Sequence, residues 1–196
     1  MKTIGITGNI ASGKSSFCQI LSNIAPCLII DADKEAHQLY LENADLVDQI
    51  KKRFGNETVI DGKVNRPVLG KIVFADRSEL NALNEIVHPK LKARLLGFLT
   101  EKRDDIAFVI IEGALIFDWN LEEHLHYTLF VDAPMESRIK RLMDKGLDES
   151  EALNRINSQT NTDLLKDKAD FIIKNRGKKD DLLQEAERIW EILNIL

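Results

Sequence analysis

The sequence predicts an α/β fold, a parallel sheet flanked by helices, and three observations carry that prediction. The first is Ile4-Gly5-Ile6-Thr7-Gly8-Asn9-Ile10-Ala11-Ser12-Gly13-Lys14-Ser15-Ser16, an apolar run that passes through glycines into a stretch of helical spacing. The second is the repetition of short apolar runs at residues 26–30, 105–111, 127–131 and 169–174, separated by amphipathic segments, as expected of strands joined by crossover helices. The third is the placement of Asp31, Asp33 and Glu112 just beyond such runs, at the carboxyl ends of strands where open α/β sheets gather their ligands.

Residues 2–7 predict the first strand, and residues 14–24 predict a helix with Phe17, Ile20, Leu21 and Ile24 on one face. Between them, residues 8–15 fit the pattern GxxxxGK[ST], the phosphate-binding loop of the P-loop NTPase fold. Glycine permits backbone that a Cβ would forbid, so successive N–H groups converge on an anion while the following helix points its positive end at it. The candidate nucleotide-binding set is therefore Gly8, Asn9, Ile10, Ala11, Ser12, Gly13, Lys14, Ser15 and Ser16. Lys14 is expected to reach the β- and γ-phosphates of ATP, and the Ser15 hydroxyl to bind Mg²⁺. A glycine turn before a core helix, with an incidental lysine, is the bland alternative.

The second run ends in Asp31-Ala32-Asp33. Asp33 has two readings: N-cap of a helix over residues 34–41, or a general base that positions and deprotonates an attacking hydroxyl, with Asp31 as its supporting or metal-facing neighbour. Residues 34–100 are helical and amphipathic, with Leu46, Val47, Ile50 and Phe54 at helical spacing and a hairpin expected over residues 58–64 around Asp61-Gly62. That is too much chain for one crossover, so it reads as a helical insertion able to close over a second substrate. Arg66, before Pro67, suits either a phosphate clamp or a solvated surface charge. His88 reads as a structural histidine or a ligand contact, and Pro89 is expected to break or kink its helix.

Glu112, at the tip of the most apolar run, stands where a Mg²⁺-facing carboxylate belongs, or simply reaches solvent. His124 and His126 have metal-like spacing but flank the start of the fourth strand, at the sheet edge away from the phosphate loop. Residues 137–168 carry Arg138, Lys140, Arg141, Lys145, Arg155, Lys166 and Lys168 on predicted helices. They read as a lid bringing positive charge to a transferring phosphoryl group, or as a solvent face paired with Asp144, Asp148, Glu149 and Glu151. The fifth strand, residues 169–174, leads into Asn175-Arg176-Gly177, a turn on the phosphate-loop side of the sheet that is a candidate lining of the adenine pocket. Residues 180–196 predict an amphipathic closing helix.

The whole chain has 196 residues, enough for one full core with inserted subdomains, and a composition that is 44% hydrophobic and 30% charged. A net charge of -5 argues against broad electrostatic binding to nucleic acid. Cys18 and Cys27 match neither a metal-binding pair nor a disulfide framework and read as buried free thiols. No apolar run approaches a membrane span and the N-terminus lacks a long apolar secretory region, so a cytoplasmic location is the default expectation. There is no Asn-Lys dipeptide, which removes the usual guanine-reading signature of a GTP switch.

Over nearly its whole length the chain resembles the dephospho-coenzyme A kinase family. The resemblance rests on Ile6-Thr7-Gly8 with Ser12-Gly13-Lys14-Ser15, Asp31-Ala32-Asp33, and Asn65-Arg66 followed by Leu69 and Ile72-Val73-Phe74. It continues through Ile86-Val87-His88-Pro89, Arg141-Leu142-Met143, Arg155-Ile156 with Gln159, and Ala169-Asp170-Phe171-Ile172-Ile173 with Asn175. The family implies a five-stranded parallel core (residues 1–33, 101–136 and 169–196), a helical acceptor-binding insertion (34–100) and a lid (137–168). It implies ATP-dependent phosphorylation of the ribose 3'-hydroxyl of dephospho-CoA with Mg²⁺, by a monomer or weak homo-oligomer whose partners are these small molecules. In that frame Asp33, Lys14 and Arg155 are catalytic, Arg141 and Asn175 join the nucleotide set, and Asp33, Arg66, His88 and Glu112 meet the acceptor. The chain departs from the family in several places: Asn9 replaces a common glycine and Glu112 and Asp118 exchange the usual acid lengths. The segment after Met143 is short, Lys145 replaces an arginine and Thr160-Asn161 replaces Met-Pro. The nearest competing readings are a kinase of another small acceptor and a nucleotide-binding module without turnover.

Overall fold

Strand β1 (Lys2–Gly8) lies at the centre of the sheet, and its residues are buried on both faces from Thr3 onward. That is why its run is continuous rather than alternating. The computed structural model describes residues 1–101, 104–159, 162–177 and 179–195; Thr160-Asn161, where the chain departs from the resembled family, lie outside them. The remaining main strands are β2 (Cys27–Asp31), β5 (Phe108–Glu112), β6 (Tyr127–Asp132) and β7 (Phe171–Lys174), with β3 (Val59–Ile60) and β4 (Lys63–Val64) forming a separate hairpin. The sheet order is β2-β5-β1-β6-β7. Ile6 is paired with Glu112 on one side and Leu129 on the other, in parallel register. The β6–β7 pairing is also parallel. This is the five-stranded parallel architecture expected from the apolar runs, with each strand starting or ending within a few residues of its expectation.

Helices α1 (Lys14–Ile24) and α9 (Lys179–Ile195) cover one face of the sheet. Phe17, Cys18 and Leu21 of α1 meet Leu182, Ala186, Ile189 and Leu193 of α9 over Ile4, Ile6, Ile110, Leu129 and Val131. Phe17 and Leu21 are wholly buried, and removing each from water is worth roughly 1.5–3 kcal/mol. Phe108 and Trp190 add an edge-to-face pair with centroids 5.5 Å apart. His126 has a structural task in this sheet: its Nδ1 accepts from the Thr3 N–H at 3.0 Å and lies 2.7 Å from Thr3 Oγ1.

The chain divides into two compact units, Met1–Ile30 with Glu101–Leu196, and Asp31–Thr100. The second is helical: α2 (Ala32–Glu42), α3 (Ala44–Phe54), α4 (Arg66–Ala75) and α5 (Arg77–Thr100) surround Leu39, Leu46, Ile50, Phe54, Leu69, Val73, Leu83, Val87, Leu91 and Leu95. The hairpin turns at Asp61-Gly62, both with positive φ (50° and 73°), the backbone an Asp-Gly turn favours. Asn43 caps α3 by accepting from the Leu46 N–H at 2.9 Å. Arg94 ties α5 to α2 through Glu35 at 2.5 Å and Glu42 at 2.9 Å; the Glu35 hydrogen bond is the main reason its guanidinium pKa lies above the ordinary value. Pro89 does not end a helix: α5 runs from Arg77 to Thr100 with Pro89 inside it. The buried Val87 and Leu91 on either side supply packing that offsets the lost helical hydrogen bond. In the first unit, α6 (Met135–Met143), α7 (Glu149–Asn157) and α8 (Thr162–Lys168) occupy the region between β6 and β7.

Candidate active site

The phosphate loop starts where β1 can no longer carry a side chain. A Cβ on Gly8 would strike the backbone of Val131 on the neighbouring strand β6. At the other end Gly13 takes φ 98° as the residue preceding α1, and a Cβ there would collide with the Asn175 amide. Both motif glycines are thus dictated by close approach and by positive φ, 148° at Gly8 and 98° at Gly13. Between them Ala11 holds a positive φ of 56°.

Lys14 and Ser15 open α1 at the positive end of its dipole. The Lys14 ammonium lies back on the loop, 3.1 Å from both the Gly8 and Asn9 carbonyl oxygens. The Ser15 hydroxyl donates to Glu112 Oε1 at 2.6 Å. Register explains the meeting: β1 and β5 are adjacent with Ile6 opposite Glu112, so the end of β5 faces the first turn of α1. Cys18 lies one turn on from Ser15, within the electrostatic influence of Glu112. Burial first, then that carboxylate, pushes the thiol well above its usual pKa, so it is inert. Among the described residues, the buried Asn9 Oδ1 and Ser12 Oγ have no hydrogen-bond partner. Unpaired polar atoms at this depth are costly without a ligand or water.

Arg141 and Asn175, expected to contact nucleotide, grip the loop itself. Arg141 Nη1 donates to the Ala11 and Ser12 carbonyl oxygens at 2.9 and 3.1 Å, and its Nη2 donates to Asn175 Oδ1 at 3.1 Å. Asn175 Nδ2 donates to the Ser12 carbonyl at 2.6 Å. Arg138 and Gln159, to which the residue types alone assigned no separate role, grip Ile10 in the same way. Arg138 is buried although it lies in a strongly amphipathic, charge-rich helix. The only signal in the sequence was its three-residue offset from Arg141, which puts both guanidinium groups on one face of α6. Arg155 stands on the exposed side of α7. A cavity of about 260 Å³ beside the loop's far edge is lined by Asp132, Ala133, Pro134, Lys174, Asn175 and Arg176, with Lys166 paired to Asp132 at 2.5 Å.

In the helical unit the N-cap of α2 is Asp31, not Asp33. Its carboxylate accepts from the Asp33 and Lys34 N–H groups at 3.0 and 3.2 Å. Asp33 stands exposed in the first turn of α2, relieved of the capping duty. Arg66 is exposed at the start of α4, followed by Pro67 in the first turn. It acts electrostatically on the half-buried Tyr40, whose phenol is raised by burial and lowered by the Arg66 charge. His88 is half-buried in the middle of α5.

The dephospho-CoA kinase family model matches residues 2–181. A dephospho-CoA kinase of Latilactobacillus sakei is 34% identical over 190 residues, covering 96% of this chain and 94% of that protein. One from Dehalococcoides mccartyi is 37% identical over 186 residues, covering 93% and 92%. Among solved structures, the Thermus thermophilus protein TT1252 superposes with a TM-score of 0.78 at 33% identity, covering 98% of this chain and 97% of that one. A shikimate kinase from Bacteroides thetaiotaomicron reaches a TM-score of 0.56 at 15% identity over 98% of both chains, a likeness of fold alone.

Proposed function

The chain belongs to the dephospho-CoA kinase family, and from that membership we propose how its residues divide the transfer of the ATP γ-phosphoryl group to the ribose 3'-hydroxyl of dephospho-CoA. The family match and the names of the relatives make it an ATP-dependent kinase that produces coenzyme A. The observation that carries the residue assignment is the loop between β1 and α1, with Lys14 on its carbonyl rim and Ser15 bonded to Glu112.

The loop N–H groups from Gly8 to Ser16 and the dipole of α1 cradle the phosphates of ATP. Lys14 moves from the loop carbonyls to the anionic oxygens of the β- and γ-phosphates. Mg²⁺ fits the hard oxygen donors of Ser15 and Glu112, which would hold it; when bound it neutralises phosphate charge. Asp33 orients the acceptor hydroxyl and accepts its proton as the bond to phosphorus forms and the bond to the leaving ADP oxygen breaks. Arg155 brings positive charge to the transferring group from the 137–168 lid, and Arg66 and His88 hold the acceptor within the 34–100 insertion. Asn175 borders the cavity suited to the adenine ring. The cytoplasm is the compartment proposed for the reaction, as the sequence leads one to expect; no helix among the described residues is long and apolar enough to cross a membrane.

The test is ATP consumption by the full chain with Mg²⁺, with and without dephospho-CoA, and with adenosine, AMP, gluconate and shikimate in its place. Stimulation by dephospho-CoA alone, with coenzyme A as product, is the expected result. Stimulation by another of these acceptors would reassign the helical insertion.

A further inference from the structure

Both backbone groups of Ile10 are held by one pair of side chains. Its N–H donates to Gln159 Oε1 at 2.6 Å, and its carbonyl accepts from Arg138 Nε at 2.9 Å. Arg138 Nη2 donates to the same Gln159 oxygen at 3.3 Å and closes the ring. Arg138 is only 7% exposed, and burial depresses its pKa from the ordinary value while Asp132 opposes that shift. Withdrawing a guanidinium from water is costly unless its donors are matched, so this contact is a built feature and not a surface charge at rest.

The side chains of the loop make a second, independent attachment. Ile10 and Ala11 pack with Ile139 against Leu142, Ala152 and Ile156, a small core made by α6 and α7. The middle of the phosphate loop therefore belongs to the hydrophobic core of the helices that follow β6.

We infer that Arg138 and Gln159 are positioning residues for the nucleotide: by fixing both backbone groups of Ile10, they set the shape of the phosphate loop from helix α6 and from the residues just beyond α7. The inference rests on the phosphate-binding reading of the loop. Neither side chain needs to touch ATP. A loop released at Ile10 spends part of its time in shapes whose N–H groups do not converge, and apparent affinity falls by the fraction lost.

The distinguishing variants are Gln159→Leu, which removes the acceptor at similar size, and Gln159→Glu, which keeps an oxygen there and pairs it with Arg138. Binding of a fluorescent ATP analogue to the full chain, measured without any acceptor, should weaken roughly tenfold or more for Gln159→Leu, the effect of leaving buried donors unpaired. Gln159→Glu should restore most of that affinity, and KM for dephospho-CoA should stay near the wild-type value in both. Wild-type affinity in Gln159→Leu, or an equal loss in Gln159→Glu, would overturn the inference. Should Gln159→Leu fail to fold, Arg138→Lys keeps a charge but cannot serve Ile10 and Gln159 together; it should weaken ATP binding, and unchanged binding would overturn the inference as well. Because affinity is read without acceptor, failure of the wild-type protein to turn over dephospho-CoA would sink the acceptor assignment and leave the clamp standing.

Discussion

The phosphate loop and the helical unit hold their polar groups in opposite ways. Around the loop, charge is tied down: Lys14 rests on two carbonyl oxygens, Ser15 on Glu112, Arg141 on Ala11 and Ser12, and Arg138 on Ile10. In the helical unit, Asp33 and Arg66 stand exposed, and the strong ion pairs, Arg94 with Glu35 and Glu42, join helices to one another. The contrast separates a loop whose shape is fixed by its own protein contacts from residues whose charge stays in water until a partner displaces it. Mutations on the two sides should accordingly fail differently.

The largest effect is expected at Asp33. Asp33→Asn should lower kcat roughly 10²- to 10⁴-fold, the range of a lost general base, with ATP affinity nearly intact; near-normal turnover would end its assignment as base. Lys14→Ala should lower kcat roughly 10²- to 10³-fold, the range for loss of one donor to developing charge. Unlike Asp33→Asn, it should also weaken ATP binding measured directly. Arg66→Ala should raise KM for dephospho-CoA by about 10-fold or more, the worth of a hydrogen bond to a charged group, and leave KM for ATP alone; a change confined to ATP would erase the contrast. The smallest effect belongs to Asp31. Asp31→Ala should cost about 0.5–2 kcal/mol of stability through the lost helix cap, seen as a lower Tm, while Asp31→Asn retains the cap and should leave both Tm and kcat little changed.

The nucleotide side was the more legible from sequence because its information is local. Eight residues from Gly8 to Ser15 carry their own backbone requirements, and the structure shows Gly8 and Gly13 at the positions where a Cβ is excluded. The strands were legible for the same reason, since burial on both faces leaves a continuous apolar run. What the sequence hid was long range. A buried arginine in an amphipathic, charge-rich helix looks like any surface charge, so the joint hold of Arg138 and Gln159 on Ile10 shows only in the folded chain. Asp31 and Asp33 both satisfy the preference for an N-cap, and only the start of α2 at Ala32 decides between them. Pro89 was expected on local grounds to break or kink its helix; α5 runs through it, with Val87 and Leu91 buried on either side.

The central position of β1 also fixes an order of events during synthesis. Its first parallel partner, β5, begins at Phe108, and the second, β6, at Tyr127. The helical unit is one unbroken stretch, Asp31–Thr100. On the ribosome that stretch is therefore complete before the first strand has either of its neighbours, and at roughly 5–20 residues per second β1 waits on the order of 5–20 s. The phosphate loop, translated ahead of all of these, gains the last of the side chains that hold it only with Gln159 and Asn175.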